Sequence, residues 1–229
     1  ASIGGLVVSE KHGDFVKALT GFSKDLFVLP AGAEDNKYNI DKEDPRNILK
    51  LVYVGMLDRR REVGKIIDLS LEIERRAINH CIFICGKGDS VKEMRETGLN
   101  MKNISFMGNI SNDDVQKLLS TCHVGIMPMP DIPIWRISST LKLAEYLAAG
   151  LAIVGPDHPG NRIDEMGKCN LLEKGNWVIK SVDRIASELD EGWIGVSESS
   201  IGASKCLSWE KISERLGETL ESWSGAILS

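Results

Sequence analysis

The sequence predicts an α/β protein, a parallel sheet with helices on both faces. Three observations point there. From Leu51 onward short apolar runs alternate with helical patterns. Several of those runs end in glycine, as at Gly55, Gly86, Gly108 and Gly155. One segment, Ile137 to Gly150, passes directly from a helical pattern through glycine into the next apolar run. Short apolar strands separated by helices fit a sheet covered on both sides.

Taken in order, Gly5 to Ser9 is a short β-rich run, followed by a helical pattern through Phe15, Val16 and Leu19. A second apolar run, Leu26 to Leu29, ends at Pro30. Ala31 to Asn47 is polar and acidic without periodicity and reads as a linker. Leu51 to Val54 is a buried strand, and Val63, Ile66, Ile67, Ser70, Ile73, Ala77 and Ile78 form the inner stripe of a helix. Cys81 to Cys85 is the next strand, closed by Gly86, Lys87 and Gly88, with a charged helix over Ser90 to Glu96. Ile104 to Met107 is a strand, and Ser111 with Asp114 has the spacing of a capping box opening a helix. Val124 to Met127, Leu151 to Val154 and Trp177 to Ile179 read as further strands, the last leading into a helix capped by Ser181. The final helix, from Ser208, carries Trp209, Ile212, Leu216, Leu220 and Trp223 on one face. That stripe packs either on its own domain or across to another.

The helix of Ile137 to Gly150 holds the chemistry. Ser138, Ser139 and Thr140 favour a helix start, and free N–H groups there attract an anion. Glu145, placed two turns from that start, is a carboxylate able to accept from sugar hydroxyls. In sheets of this class the ligand crevice lies at the carboxyl ends of the strands, where glycine lets backbone approach a phosphate. The pattern suggests a nucleotide or nucleotide-sugar site.

Composition narrows the alternatives. The 229 residues suffice for one large or two small domains, and 42% hydrophobic with 27% charged residues is ordinary globular usage. A net charge of -5 argues against nucleic acid as the main partner. No apolar run approaches the ~20 residues of a membrane span, and the start lacks a signal-peptide layout. The chain opens on Ala1 with a strand-like run close behind, which reads as a piece of something longer. Five cysteines without a C-x-x-C pair suggest core residues in a reducing compartment rather than a zinc site. His80 and His123 read as strand-edge residues.

The order LVYVGMLDRRRE, FICGKG, ISFMGNIS, VGIMPMP, SSTLKLAEYLAAGLAIVGPD resembles the carboxyl-terminal half of family 4 (group 1) glycosyltransferases, from about Gly5 to Trp223. The resemblance implies the GT-B architecture, two Rossmann-like domains with a cleft between them. It implies residues 1–32 as the tail of an N-terminal acceptor-side domain, 33–49 as linker and 50–205 as a Rossmann-like donor-binding domain. Residues 206–229 then form a helix returning to the first domain. The implied activity is retaining transfer from a nucleotide-diphosphate sugar to a saccharide, lipid or other acceptor, with no cofactor and no essential metal. The catalytic histidine and acceptor site belong to the missing domain, so this chain alone is expected to be inactive. A cytoplasmic location is implied, with peripheral attachment at the inner face of the membrane left open.

By the same resemblance the second glutamate of the E-x7-E motif falls on Glu145, holding ribose hydroxyls. The backbone of Thr140, Leu141 and Lys142 falls where the diphosphate binds. Arg61, with Arg60 as neighbouring candidate, matches the basic residue after the first glycine-ended strand, at Gly55. Gly86 closes the next strand, and Asn109 and Ile110 lie where the base is held. Two departures stand out. Met56 replaces an arginine, and Ile137 replaces the first glutamate. Lys142 reads either as a substitute phosphate cation or as a solvated helix lysine, and Arg59 to Arg61 either as cations for phosphate or as a solvated loop. Trp135 either lines the sugar pocket or packs in its loop. The departures also leave a second function open, a non-catalytic relative serving as a nucleotide-binding or scaffolding subunit. A nicotinamide-dependent oxidoreductase would need G-x-G-x-x-G after the first strand, but Gly55 is followed by MLDRRRE.

Overall fold

The computed structural model describes residues 3–34, 38, 40, 42–98 and 101–228, with side chains through 224. Part of the expected linker therefore lies outside the described residues. A small unit comes first: β1 (Gly4–Val7), α1 (Glu10–Thr20) and β2 (Asp25–Val28). Its two strands pair in parallel and form a sheet of their own. The main body follows with β3 (Leu49–Val54), α2 (Lys65–Arg75), β4 (His80–Cys85), α3 (Val91–Thr97), β5 (Ile104–Gly108) and α4 (Asn112–Thr121). Then come β6 (Val124–Ile126), α5 (Pro133–Arg136), α6 (Leu141–Ala148), β7 (Ala152–Pro156), β8 (Asn170–Glu173), α7 (Trp177–Asp190), α8 (Val196–Ser204) and α9 (Trp209–Leu228). No helix among the described residues is long and apolar enough to cross a membrane.

The body is a six-stranded parallel sheet in the order β5-β4-β3-β6-β7-β8. Its strands are apolar because both faces are covered; Leu49, Leu51, Val52, Tyr53, Ile82, Ile84 and Val124 are fully buried. From β3 the chain winds one way to β4 and β5, and from β6 the other way to β7 and β8. Right-handed crossovers therefore put α2 and α6 on opposite faces. On the α2 side, α7 lies alongside, and Arg76 reaches Asp183 at 2.6 Å between them. On the α6 side, Ser200 of α8 donates to the carbonyls of Leu147 and Leu151, at 3.2 and 2.7 Å, and so satisfies the end of α6.

Two side chains complete the seam between β3 and β6. Ladder pairing there covers only Leu51 with Val124 and Val52 with Gly125. At the entrance, His123 Nδ1 accepts from the Lys50 backbone N–H at 2.9 Å. At the exit, the Tyr146 hydroxyl accepts from the Val54 N–H at 2.9 Å. Gly125 makes room for this, since a Cβ there would overlap the Tyr146 ring.

The expected strand at Trp177 to Ile179 is wrong. Trp177 opens α7, and the strand lies earlier, at Asn170–Glu173. Trp177, Val178, Ser181, Val182 and Ile185 are the buried stripe of that helix, and over its first three residues such a face looks like a β run. Ser181 caps nothing; buried inside α7, it donates to the Leu171 carbonyl at 2.9 Å. The helix of Ile137 to Gly150 is also shorter than its pattern. It begins at Leu141 behind N-cap Thr140, which places Glu145 about one turn from the start rather than two. The short α5 and the serine-rich α8 were not anticipated, because neither has a clear apolar period. His80 and His123 do stand at strand edges, and all five cysteines are free.

Candidate functional site

The order of the sheet reverses between β3 and β6, and the loops leaving those strands go to opposite faces. In sheets of this kind the reversal is where the ligand crevice lies, at the carboxyl ends of the strands. Its floor is made of strand-end glycines tied in a row. Gly55 N–H donates to the Cys85 carbonyl at 2.9 Å, and Gly86 N–H donates to the Gly108 carbonyl at 2.7 Å. Gly55 and Gly86 have φ of 147° and 142°, a region that disfavours side chains. At Gly86 a Cβ would also overlap the Gly55 carbonyl.

Lys142 lies over this floor. Its Nζ is 3.0 Å from the place a Cβ on Gly55 would occupy and 5.5 Å from the centre of the Tyr53 ring. No carboxylate lies within ion-pair distance of it among the described residues. Burial brings its pKa down to about 8, with the Arg61 charge adding to the effect and Glu145 and Asp58 opposing it. Glu145, one residue short of a turn further along α6, is half-buried and accepts no hydrogen bond from the described protein. Burial raises its pKa, with Lys142 opposing the rise. Neither group is a solvated helix charge. An ammonium and a carboxylate are both held in a partly dry setting without an ion-pair or hydrogen-bond partner among the described residues, an arrangement suited to a ligand carrying an anion and hydroxyls.

Arg61 stands beside Lys142 but has partners. It ion-pairs with Asp58, which also accepts from the Arg61 backbone N–H at 3.1 Å, and its guanidinium lies 5.0 Å from the Trp135 ring centre. Trp135 also donates from Nε1 to the Arg60 carbonyl at 3.3 Å, so α5 is fastened to the turn at Arg59–Arg61. Arg60 itself is exposed, and Arg59 is drawn outward to Glu93 at 3.0 Å. Thr140 is the N-cap of α6, yet its Oγ1 is buried with no partner and makes no capping bond. Leu141 is half-exposed. Asn109 is exposed and Ile110 half-buried just past β5, two strands away from Gly55, a separation of about 10 Å.

Thus Gly55, Gly86, Arg61, Lys142 and Glu145 come together around the strand ends, with Thr140 and Leu141 at the head of the same helix. Arg60 is exposed, and Asn109 and Ile110 lie at the far end of the floor. Sequence reasoning missed Tyr53, whose hydroxyl donates to the Met56 carbonyl at 2.7 Å, and Tyr146. It also missed Asp58, the anchor of Arg61. Met56, the residue in place of an arginine, is 46% exposed.

On another side of α6, Thr140 and Leu143 line a cleft of about 620 Å³ that separates the β1–β2 unit from the body. Hydrogen bonds cross between these parts beside α6. Ser9 Oγ donates to the Ile137 carbonyl at 2.8 Å, and Ala31 N–H donates to Ser139 Oγ at 2.8 Å.

A doubly wound sheet with its crevice at the β3–β6 reversal defines a Rossmann-like domain, and comparison with solved structures gives the larger class. The pneumococcal O-GlcNAc transferase GtfA, solved with UDP and GlcNAc, superposes with a TM-score of 0.76 at 16% identity, over 96% of this chain and 45% of that one. The sucrose-phosphate synthase of Thermosynechococcus elongatus gives 0.75 at 16% identity, over 99% and 59%. Anabaena HepE, solved with UDP and glucose, gives 0.73 at 15% identity, over 95% and 62%. The fold is that of the carboxyl-terminal half of a GT-B glycosyltransferase. A family profile described as "Glycosyl transferases group 1" matches residues 49–191, and the chain belongs to that family. It spans about half to three-fifths of the length of these solved structures. Among curated proteins no sequence matches.

Proposed function

We propose that this chain is the donor-binding part of a retaining glycosyltransferase, holding a nucleotide-diphosphate sugar in the crevice between β3 and β6. The observation that carries the reading is the pair Lys142 and Glu145 on α6, a cation and a carboxylate without an ion-pair or hydrogen-bond partner among the described residues, the first of them over the Gly55 floor. The diphosphate sits at the N-terminus of α6, where the Leu141 and Lys142 N–H groups precede the helical hydrogen-bond pattern and the helix dipole favours an anion. Lys142 supplies the nearest charge, and Arg61 a second one, oriented by Asp58 and Trp135. Glu145 accepts from both hydroxyls of the ribose. The base lies toward Gly86, Asn109 and Ile110, along the row of strand-end glycines.

During transfer the leaving group is the nucleoside diphosphate, whose negative charge grows as the glycosidic bond breaks. Fixed cations and N–H groups stabilise that growth more than they stabilise the bound substrate. In this reading the charge is met by Lys142, Arg61 and the α6 N-terminus, and no metal is required. The acceptor, be it saccharide, lipid or another molecule, is bound by a part of the protein outside this chain, so the isolated chain binds donor and transfers little. The family, and the UDP and sugar held by GtfA and HepE in their solved complexes, support a nucleotide-sugar donor. The protein is proposed to work on the cytoplasmic side.

Calorimetry on the purified chain with UDP, GDP and their sugars tests this. Binding of one nucleoside diphosphate, unchanged by EDTA, is expected; no binding by any of them overturns the reading. The exposed Met56 where a cation is expected keeps a second reading, a nucleotide-binding subunit without turnover. Sustained sugar transfer by the longer protein refutes that second reading.

A further inference from the structure

Lys142 and Glu145 can serve a ligand only if α6 is held at a fixed depth and rotation against the strand ends, and two buried tyrosines do the holding. β3 presents Lys50, Val52 and Val54 to β6, whereas Gly55 pairs on the other side with Cys85. β6 runs out as a strand after Ile126, and the Val54 N–H finds its acceptor in the Tyr146 hydroxyl. Tyr146 follows Glu145 directly, so this bond sets where the Glu145 backbone lies relative to the end of β3. Its ring is fully buried and fills the space left by Gly125. Tyr53, the neighbour of Val54, faces the same ensemble. Its hydroxyl fixes the carbonyl of Met56 in the turn after Gly55, while its ring lies beneath the Lys142 ammonium.

We propose that Tyr146 and Tyr53 are positioning residues for the donor site: Tyr146 locks α6 to the end of β3, and Tyr53 locks the Gly55 turn and seats Lys142 above it. The proposal rests on the reading of the crevice as a nucleoside-diphosphate site. Burial raises the pKa of both phenols, so each stays protonated and acts as a hydrogen-bonding and packing group, not as an acid. Neither touches the ligand in this reading. Deleting the Tyr146 hydroxyl leaves the Val54 N–H without its acceptor at the centre of the sheet, and the relief is a small shift of α6 that carries Lys142 and Glu145 with it.

The test uses the purified chain, with UDP and GDP as probes, and the variants Y146F and Y53F. Wild type is expected to bind one of the two diphosphates. Y146F is expected to bind it about tenfold more weakly and Y53F about threefold, both with wild-type far-UV spectra and measured well below their melting temperatures. A purely structural role would lower the melting temperature and leave affinity untouched. A second readout is the pH at which binding weakens. It is expected to move upward in both variants, toward the ordinary lysine range, as Lys142 becomes better solvated. Wild type binding neither probe overturns the donor-site reading and this proposal together. Wild type binding normally, with both variants equal to it in affinity and pH profile, overturns the positioning role alone. Loss of the folded spectrum in both variants assigns the tyrosines to the fold and likewise overturns it.

Discussion

Lys142 Nζ stands 3.0 Å from the point where a Cβ on Gly55 would begin, so the missing side chain of one residue is the seat of the other's charge. Burial, aided by Arg61, has brought that ammonium to a pKa of about 8. A diphosphate beside it favours the charged form and raises the pKa on binding. Below pH 8 the free protein already carries the charge, and affinity through Lys142 changes little with pH. As pH rises from 8 toward the bound-state pKa, binding must take up a proton and weakens, by up to about tenfold per pH unit. Calorimetry of UDP or GDP in buffers of differing ionisation enthalpy, between pH 7 and 9.5, should show this uptake. K142M should abolish it and flatten the profile.

Glu145 makes its case through a different bond. It is half-buried with no hydrogen-bond donor among the described residues, and its pKa is raised by burial, so an arriving ribose diol relieves a cost already present in the free protein. E145A should weaken nucleoside-diphosphate binding by about 1.5–3 kcal/mol, the scale of hydrogen bonds to a charged group. The 2′,3′-dideoxy form of the same nucleotide should lose a similar amount on wild type and almost nothing further on E145A. Additive losses would remove Glu145 from the ribose.

The parts of this molecule legible in the sequence are those governed by local rules. Val52, Ile82, Val124 and Ile153 announce buried parallel strands because both their faces are covered. Glu145 and Lys142 could be found because a helix start, a glycine stop and a following strand leave little choice about where they sit. Trp177 misled because its stripe, read over three residues, looks like a strand; only the longer period out to Ile185 gives the helix. The roles of Tyr146 and His123 were hidden for another reason. Tyr146 completes from a helix a ladder that its own segment does not belong to, and His123 extends one with a side chain, acting on Val54 and Lys50 from 92 and 73 residues away. No local pattern encodes such a partner. The place of Arg61 after Gly55 can be read along the chain, but its pairing with Asp58 and Trp135 depends on how a turn and α5 meet.

His123 gives the protein an acid limit. It is 1% exposed, accepts from the Lys50 N–H at Nδ1, and donates from Nε2 to the Glu43 carbonyl at 2.8 Å. The neutral ring serves both bonds, whereas a protonated one has no acceptor for Lys50. Burial accordingly lowers its pKa to about 4, with Lys42 and Lys50 adding to the effect and Glu43 opposing it. The folded state thus binds fewer protons than the unfolded chain between about pH 6.5 and 4. The stability concerned is fully present above pH 6.5 and is lost as pH falls through that window, about 3 kcal/mol in all. His80 and His158, also lowered mainly by burial, act in the same direction. Urea midpoints at pH 7.5, 6, 5 and 4.5 should decline, and H123Q should start lower but decline less steeply. Parallel declines in the two proteins would take His123 out of the acid transition.

Gly86 separates the floor of the site from the side chains around it. Its φ of 142° is strained for any other residue, and a Cβ would overlap the carbonyl of Gly55, a backbone atom with no side-chain freedom to yield. G86A should therefore push β3 and β4 apart at their carboxyl ends, where Gly55 N–H bonds Cys85, and disturb the bond from Gly86 N–H to Gly108 at the end of β5. A stability loss of about 2–4 kcal/mol is expected from strain and lost pairing. Nucleoside-diphosphate binding should fall below detection, since the Gly55 turn is also the seat of Lys142. G21A is the control. Gly21 also has a positive φ, at 68°, but ends α1 with open space around it. It should lose about 1 kcal/mol of stability in the small unit and leave binding intact. Hydrogen exchange locates the damage: G86A should expose the amides of Gly55, Gly86 and Leu57, and G21A those at the end of α1. Wild-type binding by a folded G86A would mean that the ligand does not rest on this floor.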